Sequence, residues 1–219
     1  MNFPNAANGV KKIFTSQVLD IVSAIIFVIM AITSIVTVLS AVNENAGATV
    51  GFGLGSIVLA LGGTVVAIVA AILMLVGVIK AGKDDQNFKT ALAFIVLGIV
   101  AAVIGSCFQS SNVFVYNICS TISKIADLCT TCYIIMGVIS LAEQLGETAV
   151  AEKGKSLFKV ILAVYVISIL GMACYTVFYF NSAFAVIGGV ILCISYIVSI
   201  VAYFLFISLL SKAKKMLNQ

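Results

Sequence analysis

The chain has 219 residues, 63% of them hydrophobic and 9% charged, with 12 basic residues against 8 acidic ones. A water-soluble domain is roughly 45–50% apolar and about 25% charged, so these figures exclude a soluble globular enzyme. Histidine is absent and Pro4 is the only proline. The usual general base and the commonest metal ligand are therefore missing, and no catalytic centre, cofactor or metal site is expected.

Crossing about 30 Å of hydrocarbon takes about 20 apolar residues at 1.5 Å each. Reading between charges places spans at about 18–42, 56–79, 90–108, 120–142, 158–180 and 183–211. None shows the two-residue alternation of a membrane barrel, so the expected fold class is all-α integral membrane with six transmembrane helices. The first span follows Lys11-Lys12 and is too long for a secretion signal, whose apolar core is roughly 7–15 residues, so it reads as a retained anchor. The fourth is the least clean, because covering the bilayer requires it to take in Lys124 and Asp127. No soluble domain is expected between spans. The longest connection on the lysine-rich side is read as 143–156, and residues 1–219 form a single transmembrane domain.

Six spans put every lysine except Lys124 on one side. The positive-inside bias then sets both termini in the cytoplasm. A faint repeat accompanies this topology. Val76-Gly77-Val78-Ile79 closes the second span and Met136-Gly137-Val138-Ile139 the fourth, and each is followed by a charged stretch and a Phe-Lys pair, Phe88-Lys89 and Phe158-Lys159. Three repeated helical hairpins fit this pattern, although helix ends at one interface converge on lysine and aromatics in any case.

The segments MNFPNAANGVKKIF, GKDDQNFKTAL and LAEQLGETAVAEKGKSLFK resemble a group of uncharacterised small multispanning membrane proteins of low-G+C Gram-positive bacteria. The resemblance implies a bacterial cytoplasmic membrane and brings no activity with it. Lysine without arginine suits an A+T-rich genome.

Small residues carry the most regular pattern. Gly47, Gly51 and Gly55 form GxxxGxxxG, and Ser56, Ala60, Gly63, Ala67 and Ala71 continue a ridge along the second span. Gly98, Ala102 and Gly105 repeat the device in the third span, and Gly188, Ser195, Ser199 and Ala202 in the sixth. Lipid gives apolar faces little reason to associate, so close backbone approach must hold helices together. Packing inside one chain and a protomer interface both satisfy this pattern.

Lys124 and Asp127 are the candidate intramembrane polar pair, since residues three apart share a helix face. Ionisable groups in a span read as functional by default. Near the outer boundary, however, a lysine can snorkel to water and an aspartate gains from the helix dipole. Cys129 and Cys132 have C-x-x-C spacing, yet they fall mid-span without a positive neighbour or a helix N-terminus, which makes them weak redox candidates. Cys107 and Cys119 lie near the outer edge, where a disulfide is open to them. Aromatics such as Phe108, Tyr116, Tyr175 and Phe184 collect at outer span ends as an interface belt.

Three functional classes follow. The leading one is a helix-packing, oligomerising or partner-associated membrane component, with the lipid bilayer and a second copy or partner subunit as its contacts and no nucleic acid. The alternative is a small-molecule carrier or the substrate-binding subunit of a transporter. In outline the chain resembles the vitamin-binding subunits of energy-coupling-factor transporters, without a shared motif. Gly62-Gly63 and Gly188-Gly189 are its candidate hinges. A membrane thiol oxidoreductase is the remote third.

Overall fold

The computed structural model describes residues 3–42, 46–109, 111–176 and 182–218. Six α-helices make up these residues and no strand occurs among them: α1 (Pro4–Val42), α2 (Ala46–Ala81), α3 (Gln86–Phe108), α4 (Val113–Gln144), α5 (Thr148–Thr176) and α6 (Ser182–Leu217). Among the described residues, five segments are long and apolar enough to cross a membrane: Pro4–Ser40, Gly53–Ala81, Gln86–Phe108, Ile118–Gln144 and Ile197–Leu217. The fourth of these runs through Lys124 and Asp127 without a break.

The helices extend past the apolar runs because local chemistry at their ends favours it. α1 begins at Pro4, well before residue 18, since proline suits the first helical position, where its missing N–H costs nothing. α6 continues through Lys214 and Lys215, which complement the negative end of the helix dipole. The connection expected over 143–156 contracts to Leu145-Gly146-Glu147. There the Glu147 N–H donates to Ala142 O at 2.9 Å and the Gly146 N–H to Glu143 O at 3.2 Å. Gly146 has φ 75°. This pattern satisfies the last carbonyls of α4 and favours glycine at the left-handed position, where a Cβ is costly.

The chain divides into two compact units, one comprising Lys11–Gly77 and the other Met1–Val10 with Val78–Gln219. In the first, α1 and α2 pair antiparallel. Ser16 Oγ donates to Ala70 O at 2.8 Å and Ser23 Oγ to Gly63 O at 3.1 Å. A Cβ at Gly63 would stand 3.1 Å from Ile26 Cγ2 and 3.2 Å from the Phe27 ring, so glycine is what lets Ser23 reach the carbonyl.

In the second unit α3 and α4 form an antiparallel pair. Gly98 meets Ala126 at 3.4 Å and Gly105 meets Cys119 at 3.0 Å, each distance measured from an added Cβ. Phe94 and Tyr133 stack between these levels and the lysine-rich end, with ring centroids 5.5 Å apart. Gly154 of α5 receives Ile139 of α4. Ser195 Oγ of α6 donates to Val164 O of α5 at 3.4 Å. The most completely buried side chains of this unit, among them Val78, Phe88, Ile134, Ile135, Val138, Leu141, Leu209 and Leu210, gather toward its lysine-bearing end. Of the aromatics expected at outer span ends, Phe108 is exposed and Tyr116 half-buried, and the side chains of Tyr175 and Phe184 lie outside the described residues.

Candidate functional site

Two polar arrangements emerge in the larger unit, one at each end. At the lysine-rich end two consecutive carboxylates in the α2–α3 turn tie three helices. Asp84 accepts from Asn5 Nδ2 at 2.9 Å and from the Ala6 backbone N–H at 2.7 Å, so a side chain far along the chain caps the start of α1. Asp85 caps α3 by accepting from the Asn87 N–H at 2.8 Å, and it also accepts from Ser140 Oγ of α4 at 2.7 Å. Asp85 is buried and fully engaged. Nearby, Lys153 Nζ donates to Ser208 Oγ at 2.8 Å, and Lys155 pairs with Glu143 at 2.6 Å across the α4–α5 turn. That ion pair is half-exposed and adds little stability. In the sequence Asp84 and Asp85 belong to the charged stretch between the second and third spans. The available signal was the acidic residue directly before a helix start.

Toward the other end α3 and α4 enclose a groove of about 400 Å³, lined by Ala101, Ala102, Gly105, Ser106, Gln109, Tyr116, Ser120, Ser123 and Lys124. Small residues of α3 create the space and the polar face of α4 fills its wall. Ser106 Oγ is occupied by Val103 O at 2.8 Å. Ser120, Ser123 and Lys124 carry no side-chain hydrogen bond or ion pair among the described residues. That is unusual for serine inside a helix, where the hydroxyl ordinarily returns to a carbonyl one turn back. Thr64 and Thr131, for example, do so.

Lys124 and Asp127 are both exposed and form no ion pair with each other. Asp127 leans toward α3, its Oδ1 3.7 Å from an added Cβ at Gly98, whereas Lys124 borders the groove. One turn deeper, Thr130 is 6% exposed and its Oγ1 has no partner. With a helical period of 3.6, Tyr116, Ser123, Asp127 and Thr130 share one stripe of α4. Thr130 stood out in sequence only as the spacer between two cysteines.

The remaining sequence candidates sort by environment. Cys129 is half-buried and Cys132 buried, both as free thiols; Cys107 is exposed and Cys119 buried, also unbridged. Among the described residues no group of three metal-ligating side chains forms. Gly63, Gly98 and Gly105 touch neighbouring helices, and Ala60 is half-buried. Within the Lys11–Gly77 unit, an added Cβ at Gly51, Gly55 or Gly62 meets nothing within 4 Å. The ridge read as continuous therefore divides into two faces of α2. Gly53 and Gly63 turn to α1, while Gly51, Gly55 and Gly62 leave an open strip. The surroundings of Gly47 and Gly188 lie outside the described residues. No protein family, curated protein or solved structure is found to match the chain.

Proposed function

We propose that the chain is a six-span component of a bacterial cytoplasmic membrane, with both termini in the cytoplasm and three repeated hairpins, and that it works by associating with another membrane helix. The observation that carries this reading is the open strip Gly51, Gly55 and Gly62 on α2, where nothing in its own unit approaches within 4 Å. Glycines on one face admit a partner backbone at close range, and such approach is the main attraction available between helices in lipid. The membrane setting is supported by exposed apolar side chains all along the helices, such as Ile25, Ile32 and Val38 of α1 and Val58, Leu61 and Val65 of α2. A water-facing helix would not present them in continuous rows. The topology is supported by lysines at the starts of α1, α3 and α5 and the ends of α2 and α6.

A second copy of the chain is the simplest partner. Native electrophoresis in mild detergent tests this against Gly55→Leu and Gly51→Leu. The wild type should migrate as an oligomer and the variants as monomers with unchanged thermal stability. A wild type that stays monomeric, or leucine variants that keep the oligomer, would reject self-association. A tagged copy retrieving a distinct membrane protein only when Gly55 is intact would replace the second copy by that partner.

The alternative reading, a carrier or substrate-binding subunit, is favoured by the polar stripe of α4 and the orphan hydroxyl of Thr130. Uptake assays on Lys124→Ala and Asp127→Ala decide it; wild-type uptake in both would remove this pair from any transport path.

A further inference from the structure

The geometry points to the α3–α4 groove as a binding site for a phosphate ester anion, with the headgroup of an anionic phospholipid as the source. This inference shares with the alternative reading only that the groove holds a ligand, and it does not require transport.

The lining is rich in donors and carries no negative charge. Lys124 supplies an ammonium, Ser120 and Ser123 supply hydroxyls, and Gln109 supplies an amide, all without side-chain partners among the described residues. No carboxylate borders the groove. A site with one positive charge and donors spread over two helices suits an anion with several acceptor oxygens. A phosphodiester with glycerol hydroxyls engages more of these donors than a two-oxygen carboxylate can. The volume of about 400 Å³ fits a headgroup of that size.

Position favours the lipid as the source. Lys124 lies six residues into the segment Ile118–Gln144, about 9 Å along the helix, within reach of the headgroup level for a lysine stem. Lys124 is also the only lysine of the chain outside the lysine-rich helix ends. The insertion bias disfavours a lysine at this end, so a local anion gives it a specific use.

The test uses the full chain, purified and delipidated in detergent, with binding read by native mass spectrometry and thermal shift. The probes are dioctanoyl phosphatidylglycerol, dioctanoyl phosphatidylcholine and glycerol 3-phosphate. Phosphatidylglycerol should bind, with Lys124→Gln and the Ser120→Ala/Ser123→Ala double variant each raising Kd about fivefold or more. Lys124→Arg should retain binding. Neutralising Lys212, Lys214 and Lys215 together should leave this site intact, which separates it from diffuse attraction to the basic helix ends. Phosphatidylcholine binding as tightly as phosphatidylglycerol, or folded Lys124→Gln and double-serine variants binding like wild type, would overturn the proposal. Glycerol 3-phosphate binding through Lys124 while the lipid does not would overturn the lipid source and keep the phosphate chemistry. Wild-type affinity for phosphatidylglycerol with no uptake of any probe would count against the carrier reading alone.

Discussion

The ring of Phe88 in α3 fills the place where Gly137 of α4 would carry a side chain: an added Cβ would fall 2.5 Å from Phe88 Cε2 and 2.8 Å from Cδ2 and Cζ. Phe88 is wholly buried, so the ring has nowhere to retreat. Gly137→Ala should cost about 1–3 kcal/mol through overpacking. Gly51→Ala, on the open strip, should leave the monomer's stability unchanged. Thermal unfolding of the two variants in the same detergent checks the contrast, and equal melting temperatures would contradict the packing described.

Asp84 anchors the start of α1 from the α2–α3 turn. Asp84→Ala should destabilise by about 1 kcal/mol, the usual effect of losing a helix cap. The local signature is more specific. Hydrogen exchange at the Ala6 amide, which donates to Asp84 Oδ2, should accelerate well before any change in the α3–α4 pair. Asp84→Asn keeps an acceptor and should retain most of the protection.

Gly146 sits at φ 75° just past the end of α4. Alanine there carries a left-handed penalty of about 1–2 kcal/mol although no atom obstructs its Cβ. The prediction separates backbone strain from crowding. Gly146→Asn should be milder than Gly146→Ala, because asparagine tolerates this region. A larger loss for asparagine in chemical unfolding would refute it.

The thiols differ in access. Cys107 is exposed, while Cys119 and Cys132 are buried against neighbouring helices. A small maleimide should modify Cys107 in the folded protein and leave Cys119 and Cys132 until denaturation. Labelling of Cys132 at a rate comparable to Cys107 would show that α4 is less tightly held than its contacts imply.

How far the sequence foretold this arrangement depends on the kind of interaction. The apolar runs were legible because hydrocarbon demands length, and gaps between charges measure length. Helix ends were not, since they are set by individual groups: Pro4, the caps at Asp84 and Asp85, and Gly146. Charged residues at those ends read as loop when they are the side chains that prolong or start a helix. The glycine pattern of α2 announced packing but not its direction. Spacings of three and four drift around the helix, so Gly51 and Gly63 belong to faces some 120° apart at 100° per residue. The groove was half-visible. Lys124 drew notice as a charge, but Ser120 and Ser123 gained meaning only once Gly105 and Ala101 of α3 were seen to leave space opposite them. Thr130 could not be singled out, because nothing local tells a bonded threonine from an orphaned one.

The bond between Asn5 and Asp84 spans 79 positions of the chain. Its two ends are therefore synthesised far apart in time, and the carboxylate that secures the first helix exists only after both helices of the first hairpin have been synthesised. Until then the opening turn of α1 must rely on water for its free amides, and a bulky fusion placed directly ahead of Asn5 would stand in the path of that late closure.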